Sequence, residues 1–369
     1  MTDKLPTVQS KPRWSPLQVP ANRLVVFGGA AVVLSVLIFA LYSFTATSGN
    51  TPAQVGIAMH TARLESVLLE QREQAQSQLE TSVAEADELA QSLSPEVLAS
   101  ATGVVFTSTL AEAEILLQRR SEMSVVEASR LEERLSQAQG DVIAKEACYA
   151  DLLADLTNLF EGRHGAVVLK DVEEGNTLVS FHAEEMFTAA STYKVYSAYS
   201  MINAVESGER PWSSPLAGTT LEECFTRMLT YSDNECPLAW FHQVGYELVD
   251  SQAQELGAVS TSVARDSLKT NAMDLATALW ALQATDVITD DSRDRMVTLM
   301  QGQETRDGIP AAIEPEHGVV ADKVGYLDAL LHDVAIISTD KGDYILVILT
   351  EHSSWEIIAD ATRLVYEYI

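Results

Sequence analysis

Ser191 and Lys194 are the first pair of side chains in this sequence whose spacing suggests chemistry. They stand where the apolar run FTAA leads into a predicted helix, and residues i and i+3 share one face of a helix. The lysine amine can therefore reach the serine hydroxyl. A buried lysine has a lowered pKa and can act as a base, while a helix N-terminus favours negative charge beside the serine. The pair alone is a weak signal, because S-x-x-K recurs at 338–341 in a predicted hairpin turn.

Two further short motifs follow along the chain. The S-D-N motif at 232–234 comes after a predicted helix. Its hydroxyl can pass a proton to a leaving group, and the carboxamide of Asn234 can bind a peptide-like substrate. The K-V-G motif at 323–325 is expected at the start of a strand, where a lysine can anchor a carboxylate and a glycine allows close approach. The three motifs together indicate a serine nucleophile with a binding site for an amide.

The elements that must position these motifs are helices and hairpins. Apolar, β-branched runs separated by turn residues predict strands at 165–170, 177–181, 334–338 and 344–350. Amphipathic patterns predict helices at 150–160 and 354–368. This order predicts an α/β (α+β) domain over 148–369, with an antiparallel sheet flanked by helices.

Charge and cysteine content exclude several classes of function. The chain has 369 residues and a net charge of −29, which would repel a phosphate backbone, so we expect no nucleic-acid binding. The three cysteines form no C-x-x-C pair, and H-E-x-x-H is absent, so neither a common zinc site nor another metal site is predicted. No organic cofactor is implied, and the chemistry should come from side chains.

The amino-terminal segment predicts export. Residues 24–44 are apolar and uncharged over 21 positions, long enough for one transmembrane helix. Basic residues precede this segment, so residues 1–23 are expected in the cytoplasm. The segment would then span the plasma membrane, and the chain that follows it would lie outside the cytoplasm. The alternative is a cleaved signal peptide, whose apolar core is normally shorter. Both interpretations place the remaining chain outside the cytoplasm.

Residues 51–147 have the composition of long helices. Ser94 is predicted to cap a helix with Pro95 in its first turn, and Gly140 weakens a later stretch. One hypothesis is a coiled-coil stalk that spaces or dimerises the next domain. The other is a set of amphipathic helices that pack on each other or on that domain, which we favour because the a/d seam lasts only two heptads. The seam residues are Ala128, Leu131, Leu135, Ala138 and Val142.

The cysteines leave two interpretations open. Cys224 and Cys236 bracket the S-D-N motif, and export permits their oxidation to a disulfide that fixes Ser232 and Asn234. The alternative is two buried free thiols. Cys148 then stays unpaired and is expected to be packed.

In their order, S-x-x-K, S-D-N and K-x-G, the three motifs resemble those of the penicillin-recognising serine hydrolases, above all the class A β-lactamase-like group. The resemblance covers about residues 146–369 and extends to segments such as MLTYSDNECPLAW, GIPAAI and ADKVGYLDALLHDVAII. It implies a β-lactamase/transpeptidase-like fold and an acyl-enzyme mechanism. Its implied substrates are β-lactams or peptidoglycan-like D-Ala-D-Ala amides.

The resemblance also implies a role for each motif residue. Ser191 is implied to be the acylated nucleophile and Lys194 its activating base, while Ser232 passes a proton to the leaving nitrogen. The implied substrate-binding residues are Asn234 for the amide, Lys323 for a carboxylate, Gly325, and Tyr326, whose backbone N–H forms an oxyanion hole with that of Ser191.

Two departures from the family pattern stand against this agreement. Class A β-lactamases carry an E-x-x-L-N omega loop, but here LGAVSTSVA runs straight into ARDSLKTNAMD, and neither Glu247 nor Glu255 fits the pattern. Without that glutamate the acyl-enzyme is expected to be long-lived. Val324 also stands where the family has Thr or Ser, which removes a hydroxyl that helps to hold the substrate carboxylate.

The leading hypothesis from the sequence is a membrane-anchored, extracytoplasmic serine hydrolase with slow deacylation. A true class A β-lactamase is the nearest enzymatic alternative. The alternative of another class is a pseudoenzyme, an envelope scaffold or sensor that binds muropeptide or a protein partner. Covalent acylation distinguishes the enzymes from the scaffold.

Overall fold

The computed structural model describes residues 52–264, 267–314 and 316–369. The predicted cytoplasmic tail at 1–23 and the predicted transmembrane anchor at 24–44 lie outside these residues. Within the described ranges, no helix combines the length and the apolar character needed to span a bilayer.

The chain divides after Arg72 into two units. The part of the first unit that is described is the beginning of helix α1 (Pro52–Ser92), where Ile57, Leu64 and Leu68 are exposed. The second unit, Glu73–Ile369, contains the rest of α1 and every later element.

Three helices follow α1, and their ends reflect local sequence. They are α2 (Pro95–Ala99), α3 (Ala101–Gln118) and α4 (Val125–Leu159). The predicted cap is confirmed, because the Val97 N–H donates to the Ser94 hydroxyl and Pro95 occupies the first turn. Helix α4 runs through Gly140 without a break, since good helix formers flank it. The boundary predicted between 147 and 148 therefore falls inside one helix.

The seam predicted on α4 packs within the chain. All five seam residues are buried in a core that also contains Phe106, Leu110 and Ala113 of α3. Further along α4, Leu152 and Leu156 belong to the same core as residues of the main sheet. The helices thus pack on each other and on the domain that follows. Dimerisation through this region stays a prediction.

The main sheet has five antiparallel strands in the order β2-β1-β10-β9-β8. Each pairs with its neighbour in register, apart from one irregularity between β1 and β2. The strands are β1 (His164–Asp171), β2 (Thr177–Phe181), β8 (Gly318–Leu327), β9 (Leu330–Thr339) and β10 (Gly342–Glu351). The predicted antiparallel hairpins are confirmed. The K-V-G motif, expected at the start of a strand, instead lies in the second half of β8, because pairing with β9 begins at Gly318.

Helices cover both faces of the sheet. Successive side chains of β10 point to opposite faces of the sheet. Ile345 and Val347 belong to the core on one face, and Leu346 and Ile348 belong to the core on the other. The helices packed on these two cores are α5 (Lys194–Glu206), α6 (Leu221–Thr230), α7 (Glu235–Val244), α8 (Tyr246–Glu255), α9 (Ala272–Ala284), α10 (Asp290–Gln301), α11 (Ile309–Ile313) and α12 (Trp355–Tyr368). The predicted mixed fold, with an antiparallel sheet flanked by helices, is confirmed.

Short strands complete the described elements. They are β3 (Phe187–Thr188), β6 (Ser262–Ala264) and β7 (Ser267–Thr270), which form one small sheet, and β4 (Pro215–Leu216) with β5 (Thr219–Thr220), which form another.

Candidate active site

A tight turn presents Ser191 at the start of helix α5. Residues Ala190–Tyr193 form one 3₁₀ turn that leads directly into α5 at Lys194. Ala190 has a φ of 43°, a left-handed conformation that costs a non-glycine residue about 1–3 kcal/mol. The turn and the helix together place Lys194 Nζ 3.0 Å from Ser191 Oγ, as the i, i+3 spacing predicts.

The surroundings of Lys194 suit a neutral amine. Its Nζ lies 2.6 Å from the backbone oxygen of Ser232 and 2.8 Å from Asn234 Oδ1, both of which can only accept a hydrogen bond. These two acceptors match the two N–H bonds of a free amine. The nitrogen lone pair is then available to the Ser191 hydroxyl, which can donate to it.

Burial makes the neutral form of this amine accessible near neutral pH. The Lys194 side chain is fully buried. Its burial, strengthened by the nearby Lys323 cation and partly offset by Asp233, lowers the pKa of Lys194 to about 7. A substantial fraction of the amine is therefore unprotonated at pH 7, as a base for a serine hydroxyl requires.

The S-D-N motif occupies the turn between α6 and α7. Ser232 has a φ of 56°, which turns both its carbonyl oxygen and its hydroxyl towards Lys194. Asp233 does not face Ser191. Its carboxylate pairs with Arg227 of α6 and accepts a 2.9 Å hydrogen bond from the Cys236 N–H of α7, so it holds the turn in place.

A disulfide joins the two helices that flank this turn. Cys224 of α6 and Cys236 of α7 are bonded, with Cα atoms 5.2 Å apart, and both are fully buried. The bond closes the loop that carries Ser232 and Asn234. Cys148, which was expected to be packed, is instead an exposed free thiol on α4, because the apolar face of that helix is formed by other positions.

Removal of this disulfide should destabilise the domain measurably. We expect the double variant Cys224→Ala/Cys236→Ala to lose about 2–3 kcal/mol of unfolding free energy, because a cross-link over 12 residues restricts the unfolded chain. Urea denaturation of the oxidised protein and of the double variant measures the difference. The exposed Cys148→Ala serves as the control and should leave the midpoint unchanged. Equal midpoints for all three proteins would contradict the prediction.

Lys323 approaches the same hydroxyl from strand β8. Its fully buried ammonium donates to Ser232 Oγ over 3.0 Å and to the Val324 carbonyl over 2.7 Å. Burial lowers the pKa of Lys323 to about 8, although the carboxyl groups of Asp322 and Asp333 act in the opposite direction. The Ser232 hydroxyl therefore lies between the amines of Lys194 and Lys323 and can exchange a proton with either.

Gly325 allows β8 to lie against the nucleophile turn. A Cβ atom at this position would come within 3.1 Å of the Ser191 nitrogen and 3.0 Å of Thr192 Cγ2. From the sequence, Gly325 was expected to allow close approach of a substrate backbone. In the structure it is the turn at Ser191 and Thr192 that lies close to Gly325. Tyr326 is the next residue of β8, so its backbone N–H is expected near that of Ser191, as an oxyanion hole requires.

Sequence reasoning missed a buried acidic pair behind Lys323. Asp322 on β8 and Asp333 on β9 are both fully buried and interact across the two strands. Arg306 pairs with Asp322, and the Ile309 N–H donates to Asp333 over 2.8 Å. Burial raises the pKa of both carboxyl groups, and the charge of Asp333 raises that of Asp322 further. Acidic residues in the otherwise apolar strand patterns were the available signal.

The acidic pair should make stability depend on pH. A carboxyl group with a raised pKa binds its proton more tightly in the folded state than in the unfolded state. Protonation of this group therefore stabilises the fold at low pH, and this contribution is lost progressively as pH rises above about 4, the pKa of an unfolded Asp. We expect the free energy of unfolding to fall between about pH 5 and pH 9, by up to about 1.4 kcal/mol per pH unit for each proton, and the melting temperature to fall with it. In Asp333→Asn, which keeps an acceptor for Ile309, this slope should flatten. A variant whose pH profile parallels that of the parent would contradict the assignment.

A short hairpin follows α8 where the sequence lacks an omega loop. Strands β6 and β7 pair directly, and buried hydroxyl contacts hold them: Thr261 Oγ1 lies 2.8 Å from both Thr270 Oγ1 and Asp274 Oδ2. Glu247 and Glu255 lie exposed on α8. Among the described residues, the hydrogen-bond partners of Lys194 Nζ are Ser191, Ser232 and Asn234, so no glutamate is within bonding distance of this amine.

The structure thus brings together most of the residues that the sequence singled out. Ser191, Lys194, Ser232, Asn234 and Lys323 form one connected hydrogen-bonded group. Gly325 packs on the nucleophile turn, and Tyr326 follows it on β8. Val324 is fully buried.

Comparison with known proteins gives consistent results. The family model of the beta-lactamase enzyme family matches residues 150–369. Beta-lactamase OXY-2 of Klebsiella oxytoca is 26% identical over 234 residues, which cover 54% of this chain and 80% of that protein. A beta-lactamase of Proteus vulgaris is 25% identical over 221 residues, which cover 50% of this chain and 72% of that protein.

Solved structures share the fold. An ancestral class A beta-lactamase superposes with a TM-score of 0.56 at 20% identity, over 59% of this chain and 100% of that one. A point mutant of PBP-A, in an acyl-enzyme complex with penicillin G, superposes with a TM-score of 0.55 at 20% identity, over 59% and 96% of the two chains. The family match takes in every strand of the main sheet and all three motifs, and the chain therefore belongs to the beta-lactamase enzyme family and is a serine hydrolase.

Proposed function

We propose that this serine hydrolase is anchored in the plasma membrane, has its catalytic domain on the extracytoplasmic side, and is acylated at Ser191 by β-lactams or D-Ala-D-Ala-like amides of peptidoglycan. We further propose that it releases the acyl group slowly. The observation that carries the proposal is the 3.0 Å contact between Ser191 Oγ and a buried amine whose two N–H bonds already have acceptors.

In the proposed acylation, the Ser191 oxygen attacks the carbonyl carbon while Lys194 takes the hydroxyl proton. The carbon–nitrogen bond then breaks as the Ser232 hydroxyl gives its proton to the leaving nitrogen. Ser232 regains a proton from the Lys194 ammonium, whose Nζ lies 3.1 Å from Ser232 Oγ, so that Lys194 returns to the free amine. Lys323 keeps this hydroxyl oriented through its 3.0 Å bond. Asn234 binds the substrate amide, and the backbone N–H groups of Ser191 and Tyr326 stabilise the oxyanion, a contribution of about 3–4 kcal/mol per donor.

Slow deacylation follows from what surrounds the ester. Hydrolysis requires a base that activates water. The part of the chain that the structure describes places no glutamate within bonding distance of Lys194, and the segment after α8 is a short hairpin. The mutant of PBP-A, which shares the fold, was captured as an acyl-enzyme with penicillin G. A long-lived adduct in this protein is consistent with both observations.

The proposed location rests on the sequence and on the disulfide. Residues 24–44 are uncharged and long enough to span the bilayer, and basic residues precede them. The disulfide between Cys224 and Cys236 supports an oxidising compartment outside the cytoplasm. Protease treatment of spheroplasts and of lysed cells tests the topology: the domain should be cleaved in both, and protection in spheroplasts would contradict it.

Intact mass spectrometry tests the acylation chemistry. The full chain in detergent is mixed with a fluorescent penicillin, and its mass is followed for hours. We expect one adduct, slow to form because Val324 lacks the family hydroxyl, and stable once formed. Ser338→Ala, in the exposed second S-x-x-K, is the matched control and should react like the parent.

The other outcomes identify the alternatives. An adduct that turns over rapidly would make the protein a true class A-type β-lactamase, and another group would have to replace the missing glutamate. A folded protein that forms no adduct with penicillin or with D-Ala-D-Ala thioesters would contradict the proposal and favour the scaffold or sensor. The connected Ser191–Lys194–Ser232 group disfavours that last outcome, since a buried lysine is costly without a function.

A further inference from the structure

His332 is a fully buried imidazole that takes no part in the proposed acylation but lies close to the nucleophile turn. It stands on β9 directly opposite Gly325 of β8, the glycine that packs on this turn. Its Nε2 atom lies 2.9 Å from the carbonyl oxygen of Thr188, which ends β3 three positions before Ser191. The side chain therefore connects the main sheet to the short strand that leads into the nucleophile turn.

The partners of this imidazole specify one neutral form. The Thr350 N–H of β10 donates to Nδ1 over 3.1 Å, so Nδ1 carries no proton. The Thr188 carbonyl can only accept, so Nε2 carries the proton and donates it. Protonation of Nδ1 would place two N–H groups against each other, and burial also lowers the pKa of His332. The imidazole is thus held neutral, with its donor directed at Thr188.

The peptide group between Thr188 and Ala189 is held on both sides. His332 binds its carbonyl oxygen, and its N–H, which belongs to Ala189, donates to the Leu268 oxygen of β7 over 3.0 Å. The Ala189 carbonyl in turn accepts from the N–H and the hydroxyl of Thr192, over 3.1 Å and 2.6 Å. This series of contacts reaches from β9 to the residue that directly follows the nucleophile.

The turn needs such support, because part of its backbone is strained. Ala190 has a left-handed φ of 43°, and strained backbone persists only where the surrounding structure over-determines it. Ser191 follows Ala190 directly, so its 3.0 Å contact with Lys194 depends on this conformation. Misplacement of a reacting group by about 1 Å can lower a rate by about 100-fold.

We infer that His332 is a positioning residue for Ser191: its Nε2–H holds the Thr188 carbonyl, and this contact keeps the serine hydroxyl within reach of Lys194. The inference rests on the proposed acylation of Ser191. His332 acts through the backbone of residues 188–191 and does not touch the reacting atoms. Loss of the contact should therefore slow the acylation step and leave the preceding binding of penicillin unchanged.

Two substitutions of similar shape separate the two hydrogen bonds of the imidazole. In His332→Gln the amide nitrogen can reach Thr188 as Nε2 does. In His332→Asn the amide oxygen can replace Nδ1 beside Thr350, but no donor reaches Thr188. Each variant keeps one of the two bonds, so their urea midpoints should fall below that of the parent by similar amounts. Only the asparagine variant loses the contact with the nucleophile strand.

Acylation kinetics of the full chain in detergent test the role. Reaction with a fluorescent penicillin at several concentrations gives the dissociation constant of the first complex and the rate constant of acylation separately. We expect His332→Gln to acylate within about 3-fold of the parent and His332→Asn about 10- to 100-fold more slowly, both with the parental dissociation constant. His352→Asn is the control and should match the parent, because this position is exposed and its left-handed φ of 57° suits asparagine.

Equal acylation rates in the glutamine and asparagine variants would overturn the inference alone, and so would a loss that lies entirely in the dissociation constant. A parent that forms no adduct would contradict the proposed function, and the inference would fail with it. Nitrogen-15 histidine NMR of the parent tests the inference even if His332→Asn does not fold, with the signal assigned by its absence from His332→Gln. We expect the Nε2–H form between about pH 6 and pH 8. A charged ring or an Nδ1–H form would overturn the inference.

Discussion

The variant Ser191→Ala is expected to form no covalent adduct with penicillin, with a loss in acylation rate of at least about 10⁴-fold. Alanine has no oxygen to attack the carbonyl, and loss of a nucleophile is among the largest single-residue effects in serine hydrolases. The fold should survive, because Ser191 lies in a turn whose packing depends on its neighbours Ala190, Thr192 and Tyr193. Intact mass after prolonged incubation measures the effect.

A specific control separates loss of chemistry from loss of folding. Ser191→Ala should still melt cooperatively near the parent temperature, and Ser338→Ala should be acylated normally. If the adduct persists in Ser191→Ala and peptide mapping places it on another residue, the catalytic assignment of this site is wrong.

The second large effect is expected at Lys194. Lys194→Met removes the base and should slow acylation by about 10³-fold, within the usual range for a general base. Lys194→Arg keeps the charge and the donors but cannot be deprotonated in a protein, so it should be as slow. Near-parental acylation by the arginine variant would show that only the positive charge matters and that Lys194 is not the base.

The pH dependence of acylation adds an independent test. The pKa of Lys194 lies near 7, below that of an ordinary lysine, and the free amine is the active form. The acylation rate should therefore rise as pH increases through about 7 and fall below it. Stopped-flow or quenched measurements across this range detect the rise in the parent. A flat profile in the parent would contradict a base with this pKa.

Local patterns account for the parts of the fold that were predicted correctly. The closing hairpin was recognisable because apolar residues fill 344–350 on one side of a Lys-Gly turn and 334–338 on the other. The cap at Ser94 depends on one hydroxyl and the following proline. Such features are decided by residues a few positions apart, which a single sequence displays.

Features that depend on distant contacts were missed or displaced. The start of β8 depends on pairing with β9, so the K-V-G motif was assigned to the wrong end of its strand. The pairing of Asp322 with Asp333 depends on the same register. The environment of Lys194 was predictable only in part, because one acceptor is the backbone oxygen of Ser232, which a left-handed φ directs inward.

Helix α4 has a consequence for how the second unit unfolds. The family match begins at residue 150, inside this 35-residue helix, and residues on both sides of that point share one core with the sheet. Unfolding of the helices before residue 150 would therefore expose the face of the sheet that they cover. We expect these helices and the sheet to unfold in a single cooperative transition. A fragment cut at the family boundary would leave Leu152 and Leu156 on a truncated helix, without the turns that precede them. The helical residues between Glu73 and residue 150 thus share a hydrophobic core with the sheet of the hydrolase.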